Sequence, residues 1–176
     1  MKIREVTLKN YTQHENLNVK IDENFIGVIG ENGSGKSNFM LSISDAITGE
    51  FHKKKSDIIT YGKKKGEIII HGLFDEEPFK ICRSLSGAAA EGTYIETAEG
   101  IFWGADDVNN KIYERLECDK SYLSNMVFVK QSDMLGLLFG RPSERNKLLQ
   151  KFFGLEKAQK IEQSLSAWSS NVPMPA

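Results

Sequence analysis

The stretch VIGENGSGKSNF, Val28 to Phe39, places three glycines, two serines and a lysine between positions 30 and 37, directly after an apolar run. Gly30, Gly35, Lys36 and Ser37 satisfy the spacing G-x-x-x-x-G-K-[ST] without a gap. Glycines let the backbone turn with positive φ, so that successive N–H groups point at phosphate oxygens. A helix starting at the end of such a loop adds the partial positive charge of its N-terminus. In this arrangement Lys36 reaches the β- and γ-phosphates and the Ser37 hydroxyl ligates Mg²⁺. The flanks agree with it. Asn24 to Gly30 reads as a buried strand, and the segment after the loop carries Phe39, Met40, Ile43, Ala46, Ile47 and Phe51 at helical spacing. A cradle for a nucleoside triphosphate is expected.

Around this loop the pattern is that of an α/β chain. Val6 and Leu8 alternate with Glu5, Thr7 and Lys9, the period of a half-buried strand, while Ile3 falls out of phase. Glu15 to Ile21 reads as a second strand. The runs GEIIIHGLF and FKICRSL read as a hairpin about DEEP, followed by shorter β pieces up to Trp103. Asp106 or Asp107 is placed to cap a helix holding Val108, Ile112 and Leu116. After Pro142 and Ser143, a helix start, apolar residues from Leu148 to Trp168 recur three or four apart. Beyond Ile161 the spacing approaches a heptad seam.

Composition excludes several classes. A net charge of −1 does not indicate bulk polycationic binding. No apolar run approaches the ~20 residues of a membrane helix, and the start lacks a signal-peptide core. Cys82 and Cys118 form no C-x-x-C pair, so reduced thiols and an intracellular location, cytoplasmic or at the nucleoid or nucleus, are expected.

Two segments carry a family resemblance. Met1 to Phe39 is similar to the opening of the SMC-like, ABC-type ATPases that repair double-strand breaks, the SbcC or Rad-fifty family. The run VFVKQSDMLGLLFGRPSERNKLLQKFFGLEKAQKIE resembles that family's Q-loop and the first helix of its coiled coil. The resemblance implies a P-loop NTPase of ABC/SMC type, in its N-terminal lobe: a mixed sheet around a P-loop helix, a β-rich subdomain and the start of a coiled-coil helix. It divides the chain into a lobe over 1–142, a helix root over 143–170 and a tail over 171–176. It implies ATP and Mg²⁺ as cofactors, wrapped by Asn32, Gly33, Ser34, Gly35, Lys36, Ser37 and Asn38. Gln131 falls at the Q-loop glutamine, which would meet Mg²⁺ and the attacking water. Thr12 occupies the segment that folds over the nucleotide, where the family commonly has arginine. Ile59, Thr60 and Tyr61 match a segment touching the nucleotide's outer side, although Tyr61 could equally be a core aromatic.

The same resemblance implies partners: the C-terminal lobe of the same ATPase, a second head joined by ATP, an SbcD (Mre-eleven-type) nuclease, and DNA. ATP hydrolysis would require the complementary lobe, because no signature motif follows Gln131. Asp75 and Glu76 superficially resemble a Walker B pair, but they lead into another alternating strand and read as a hairpin turn. His52 and His71 sit in no motif and read as surface or hairpin residues. The triplets Lys53–Lys55 and Lys63–Lys65 invite contact with DNA or form a solvated loop, and Arg141, Arg145 and Lys147 form a second basic candidate. An SMC-type clamp without a nuclease, and a freestanding P-loop kinase or GTPase, are the competing readings.

Overall fold

The computed structural model describes residues 1–86, 92–118, 120–128 and 138–152. The chain divides into two compact units, Met1–Cys118 and Asp119–Ala176.

The first unit is organised on a six-stranded sheet. Its strands are β1 (Lys2–Tyr11), β2 (His14–Lys20), β3 (Glu67–Phe74), β4 (Glu77–Ser84), β5 (Tyr94–Thr97) and β6 (Gly100–Trp103), in the order β2-β1-β3-β4-β5-β6. Every neighbouring pair is antiparallel. Val6 lies opposite Ile70, Ile70 opposite Ile81, and Ile81 opposite Ile95, so one face collects a row of fully buried aliphatic residues. Burying each such side chain stabilises by about 2 kcal/mol. Two helices cover the row: α1 (Lys36–Thr48), which turns in Phe39, Ile43, Ala46 and Ile47, and α3 (Ala105–Leu116), which turns in Val108 and Ile112. A short helix, α2 (Lys55–Ile58), lies between α1 and β3.

The misphased Ile3 has a local cause. The β1–β3 register shifts between Ile3 and Glu5, so one extra residue flips the alternation before the regular ladder begins. The β3–β4 hairpin turns on Asp75 (φ 50) and Glu76 (φ 93), both left-handed, as a two-residue loop between twisted strands requires. These acids are turn residues, as their context indicated. Because glutamate, unlike aspartate, does not favour that conformation, replacing the pair by Asn-Gly should stabilise the chain by about 1 kcal/mol in urea unfolding and leave nucleotide affinity unchanged. A loss of affinity would show that the carboxylates act at the site.

Two readings need correction. The cap of α3 is Gly104 (φ 97, ψ 157), not an aspartate; Asp106 and Asp107 lie in the first turn, where their charge meets the helix's positive end. More consequentially, Asn24 to Gly30 is not a buried strand. It carries no strand pairing, and Phe25 and Ile29 are 92% and 95% exposed. An apolar run is buried only if something lies beside it, and none of the six strands pairs with this one.

In the second unit a helical turn (Lys120–Tyr122) runs into a π-helix (Leu123–Val127). A further helix spans Pro142–Phe152. Proline suits its first position, having no N–H to leave unpaired. The Glu144 carboxylate accepts the Arg141 N–H at 3.1 Å, closing that end. The heptad-like run beyond Phe152 and the tail lie outside the described residues.

Candidate functional site: the phosphate loop and the turn beside it

Of the two glycines that the motif spacing names, Gly35 is left-handed and Gly30 is not. Gly33 (φ 82) and Gly35 (φ 95) are left-handed, and Gly35 is the N-cap of α1. Its cap position carries no side-chain bond and its first turn no acid. The helix therefore presents its first amide donors, with their positive end, to the outside. Lys36 curls back over the loop and donates to the carbonyls of Gly30 (2.8 Å) and Glu31 (2.6 Å), which holds the ammonium against the loop's backbone. Asn32, Gly33, Ser34 and Ser37 are exposed.

The β1–β2 turn is pinned against the loop. The ends of the Gln13 and His14 side chains lie where a Cβ on Gly35 would sit, and its positive φ favours glycine there. Asn38 Nδ2 donates to Gln13 Oε1 (2.7 Å), and His14 Nε2 lies 3.4 Å from the Gly35 carbonyl. Sequence reasoning missed Gln13 and His14; the available signal was their place directly after Thr12 between two strand patterns.

Thr12 itself has φ 50, a conformation that costs a β-branched residue about 1–3 kcal/mol. Its N–H donates to the Ile58 carbonyl (2.6 Å), Tyr11 bridges Ile59, and the Thr60 N–H donates to the Asn10 carbonyl (3.0 Å). The structure thus brings Thr12, Ile59 and Thr60 together and, through Gln13 and His14, joins them to the loop. The Thr12 and Thr60 hydroxyls are buried without a hydrogen-bond partner among the described residues. Each such group costs free energy, so the surroundings must hold these two threonines in place. Tyr61 is not a core aromatic; it is fully exposed. Gln131 lies outside the described residues.

His52 is not a surface residue. Its Nδ1 lies 2.8 Å from Asp45 Oδ2, and Asp45, only 1% exposed, also accepts from the Tyr11 hydroxyl at 2.9 Å. Burial, partly countered by these bonds, pushes the Asp45 carboxyl above its ordinary range. Of the lysine triplets, Lys53, Lys54, Lys63, Lys64 and Lys65 are exposed. Lys55 instead donates to the Ser84 carbonyl (2.9 Å), and Lys63 lies 3.7 Å from Glu15. Arg141 and Arg145 are exposed as well.

A glycine loop with two left-handed glycines, one lysine folded back over it, an exposed hydroxyl at Ser37 and an uncapped helix start fits a magnesium-bound triphosphate. This fold and site define a P-loop lobe of the ABC/SMC type. The chain belongs to the AAA ATPase domain family, whose model (AAA_15) matches residues 1–170. It is 26% identical over 166 residues to the DNA double-strand break repair Rad50 ATPase of Methanocaldococcus jannaschii, covering 94% of this chain and 16% of that protein. Against the protein of the same description from Thermoplasma acidophilum it is 27% identical, covering 98% of the chain and 21% of the relative. The DNA replication and repair protein RecF of Lachnospira eligens is 26% identical, with 96% of the chain and 50% of the relative covered. The chain thus spans a minor part of the Rad50 relatives' length.

Solved structures share the fold. One, described under ATP-driven dimerisation and DNA-stimulated activation of SMC ATPases, superposes with a TM-score of 0.62 at 18% identity, covering 86% of this chain and 99% of that one. A RecF–ATP structure gives 0.53 at 16% identity, covering 85% of this chain and 37% of the other. Among the described residues no helix is long and apolar enough to cross a membrane.

Proposed function

We propose that this chain is the nucleotide-binding N-terminal lobe of a DNA-repair ATPase of the Rad50/SbcC kind. Residues 1–142 form the lobe, 143–170 the root of the first coiled-coil helix and 171–176 a tail. ATP sits in the ring of amides from Asn32 to Asn38, with Lys36 on its outer phosphates. Thr12, Ile59, Thr60 and Tyr61 border it; Ser37 would ligate Mg²⁺, and the family resemblance gives Gln131 the same role. The metal would neutralise charge on the phosphates; the chain's own part is to position them and surround them with donors.

The observation that carries the reading is the bare ribbon Phe25–Ile29 running into the phosphate loop, with Phe25 92% exposed. A loop that must hold its amides to within tenths of an ångström needs a braced strand before it. We assign that brace to the C-terminal lobe of the same ATPase, which also supplies the carboxylates for hydrolysis. ATP then joins two such heads, and their engagement governs an SbcD (Mre-eleven-type) nuclease on DNA ends. The exposed lysines of 53–65 supply a phosphate-contacting surface for that DNA.

The test is complementation. Mixing this chain with the C-terminal lobe should yield ATP turnover, raised by DNA and absent from either piece alone. Changing both Phe25 and Ile29 to Asp should abolish association of the pieces in gel filtration. Turnover by the isolated chain, or association that survives the double change, would refute the proposal.

A further inference from the structure

We infer that Asp45 is a positioning residue for the nucleotide site, acting through Tyr11 on Thr12 from the far half of α1. The inference rests on the proposed ATP site. Asp45 lies nine residues after Lys36, about 14 Å along the helix axis, too far to touch a nucleotide itself. It is nevertheless the meeting point of the site's walls. Its Oδ2 accepts the Tyr11 hydroxyl (2.9 Å) and faces His52 Nδ1 (2.8 Å), and its Oδ1 takes the His52 N–H (3.2 Å).

These bonds close a ring. Tyr11, wholly buried, is the residue before the left-handed Thr12. His52 leads through α2 to Ile58, whose carbonyl grips the Thr12 N–H at 2.6 Å. Chain, side chain and ladder thus return to the same turn, with the carboxylate as the ring's node on α1, separate from the Asn38–Gln13 bond at that helix's start. A strained residue persists only where its surroundings over-determine it, and this ring is what over-determines Thr12. The turn's unpartnered hydroxyl then keeps its place relative to Lys36, because both hang from one helix.

The ring makes a prediction that simple core filling does not. Tyr11→Phe keeps the ring and its packing but cuts the node, so ATP–Mg affinity of the chain with its complementary lobe should fall about fivefold by calorimetry, the worth of one buried hydrogen bond. In a Thr12→Ala background the same change should cost less than twofold, because the group it positions is gone. Asp45→Asn, which cannot serve all three donors, should repeat the pattern and provides the second variant should Tyr11→Phe fold poorly. Equal losses in both backgrounds, or affinity within twofold of the parent on Tyr11→Phe, overturn the inference. A parent protein that binds no ATP–Mg sinks the proposed function itself, so the two failures are distinguishable.

Discussion

Lys36→Ala is expected to weaken ATP–Mg binding about a hundredfold while leaving the unfolding temperature of the chain unchanged. The ammonium is the one side-chain cation inside the loop, and charge-assisted bonds to two phosphates are worth about 3 kcal/mol together. Its present partners are carbonyls of its own loop, Gly30 and Glu31, so nothing in the sheet or the helix packing depends on it. Calorimetry on the chain with its complementary lobe reads the affinity, and a thermal scan reads the fold. Retention of binding within threefold would mean that the amides grip some other anion.

The second large effect is on stability. Arg83 is 2% exposed in β4; its Nε donates to the Ala46 carbonyl (2.8 Å) and its Nη2 to Asn109 Oδ1 (2.7 Å). One guanidinium therefore ties the sheet to the end of α1 and to α3. Arg83→Ala removes the tie, strands an α1 carbonyl and leaves a cavity, a combined loss of about 3–4 kcal/mol in urea unfolding. Arg83→Met, which refills the space with apolar atoms, should recover part of it. Burial pushes the guanidinium down to about 10. Because the folded value lies below the unfolded one, carrying the charge costs stability at every pH below about 10 and is relieved only above it. Between pH 6 and 9 this residue adds no slope to stability. A loss under 1 kcal/mol for the alanine variant would show that the sheet and helices hold without it.

Much of the fold was legible because local periodicity is dictated by a single element's own geometry. The alternation of Val6 with Leu8 and, in the helical recurrence, Phe39, Ile43, Ala46 and Ile47 point to one buried face and are buried, whereas Met40 of the same recurrence is 54% exposed and Phe51 falls beyond the helix end at Thr48. The glycine loop was legible in part for a similar reason: Gly35 adopts the left-handed angle its place in the motif favours, as does Gly33 between the motif's fixed positions, whereas Gly30 does not. What escaped depends on neighbours. The composition of Phe25–Ile29 says that the ribbon wants cover but not whether cover is at hand. The links from Asp45 to Tyr11 and His52 join residues 34 and 7 positions apart, and no short motif records such a meeting. The Gly104 cap was missed because aspartate is a stronger capping residue on paper, whereas the chain arrives there with φ 97.

Asp22 and Glu23 stand on one side of the bare ribbon and Glu31 on the other. Stacking two identical copies in register would bring like charges together at both ends, a penalty that grows with every added molecule. These acids act as gatekeepers. They discourage the ribbon from templating fibres of itself while leaving its middle free for a strand of different flanking charge.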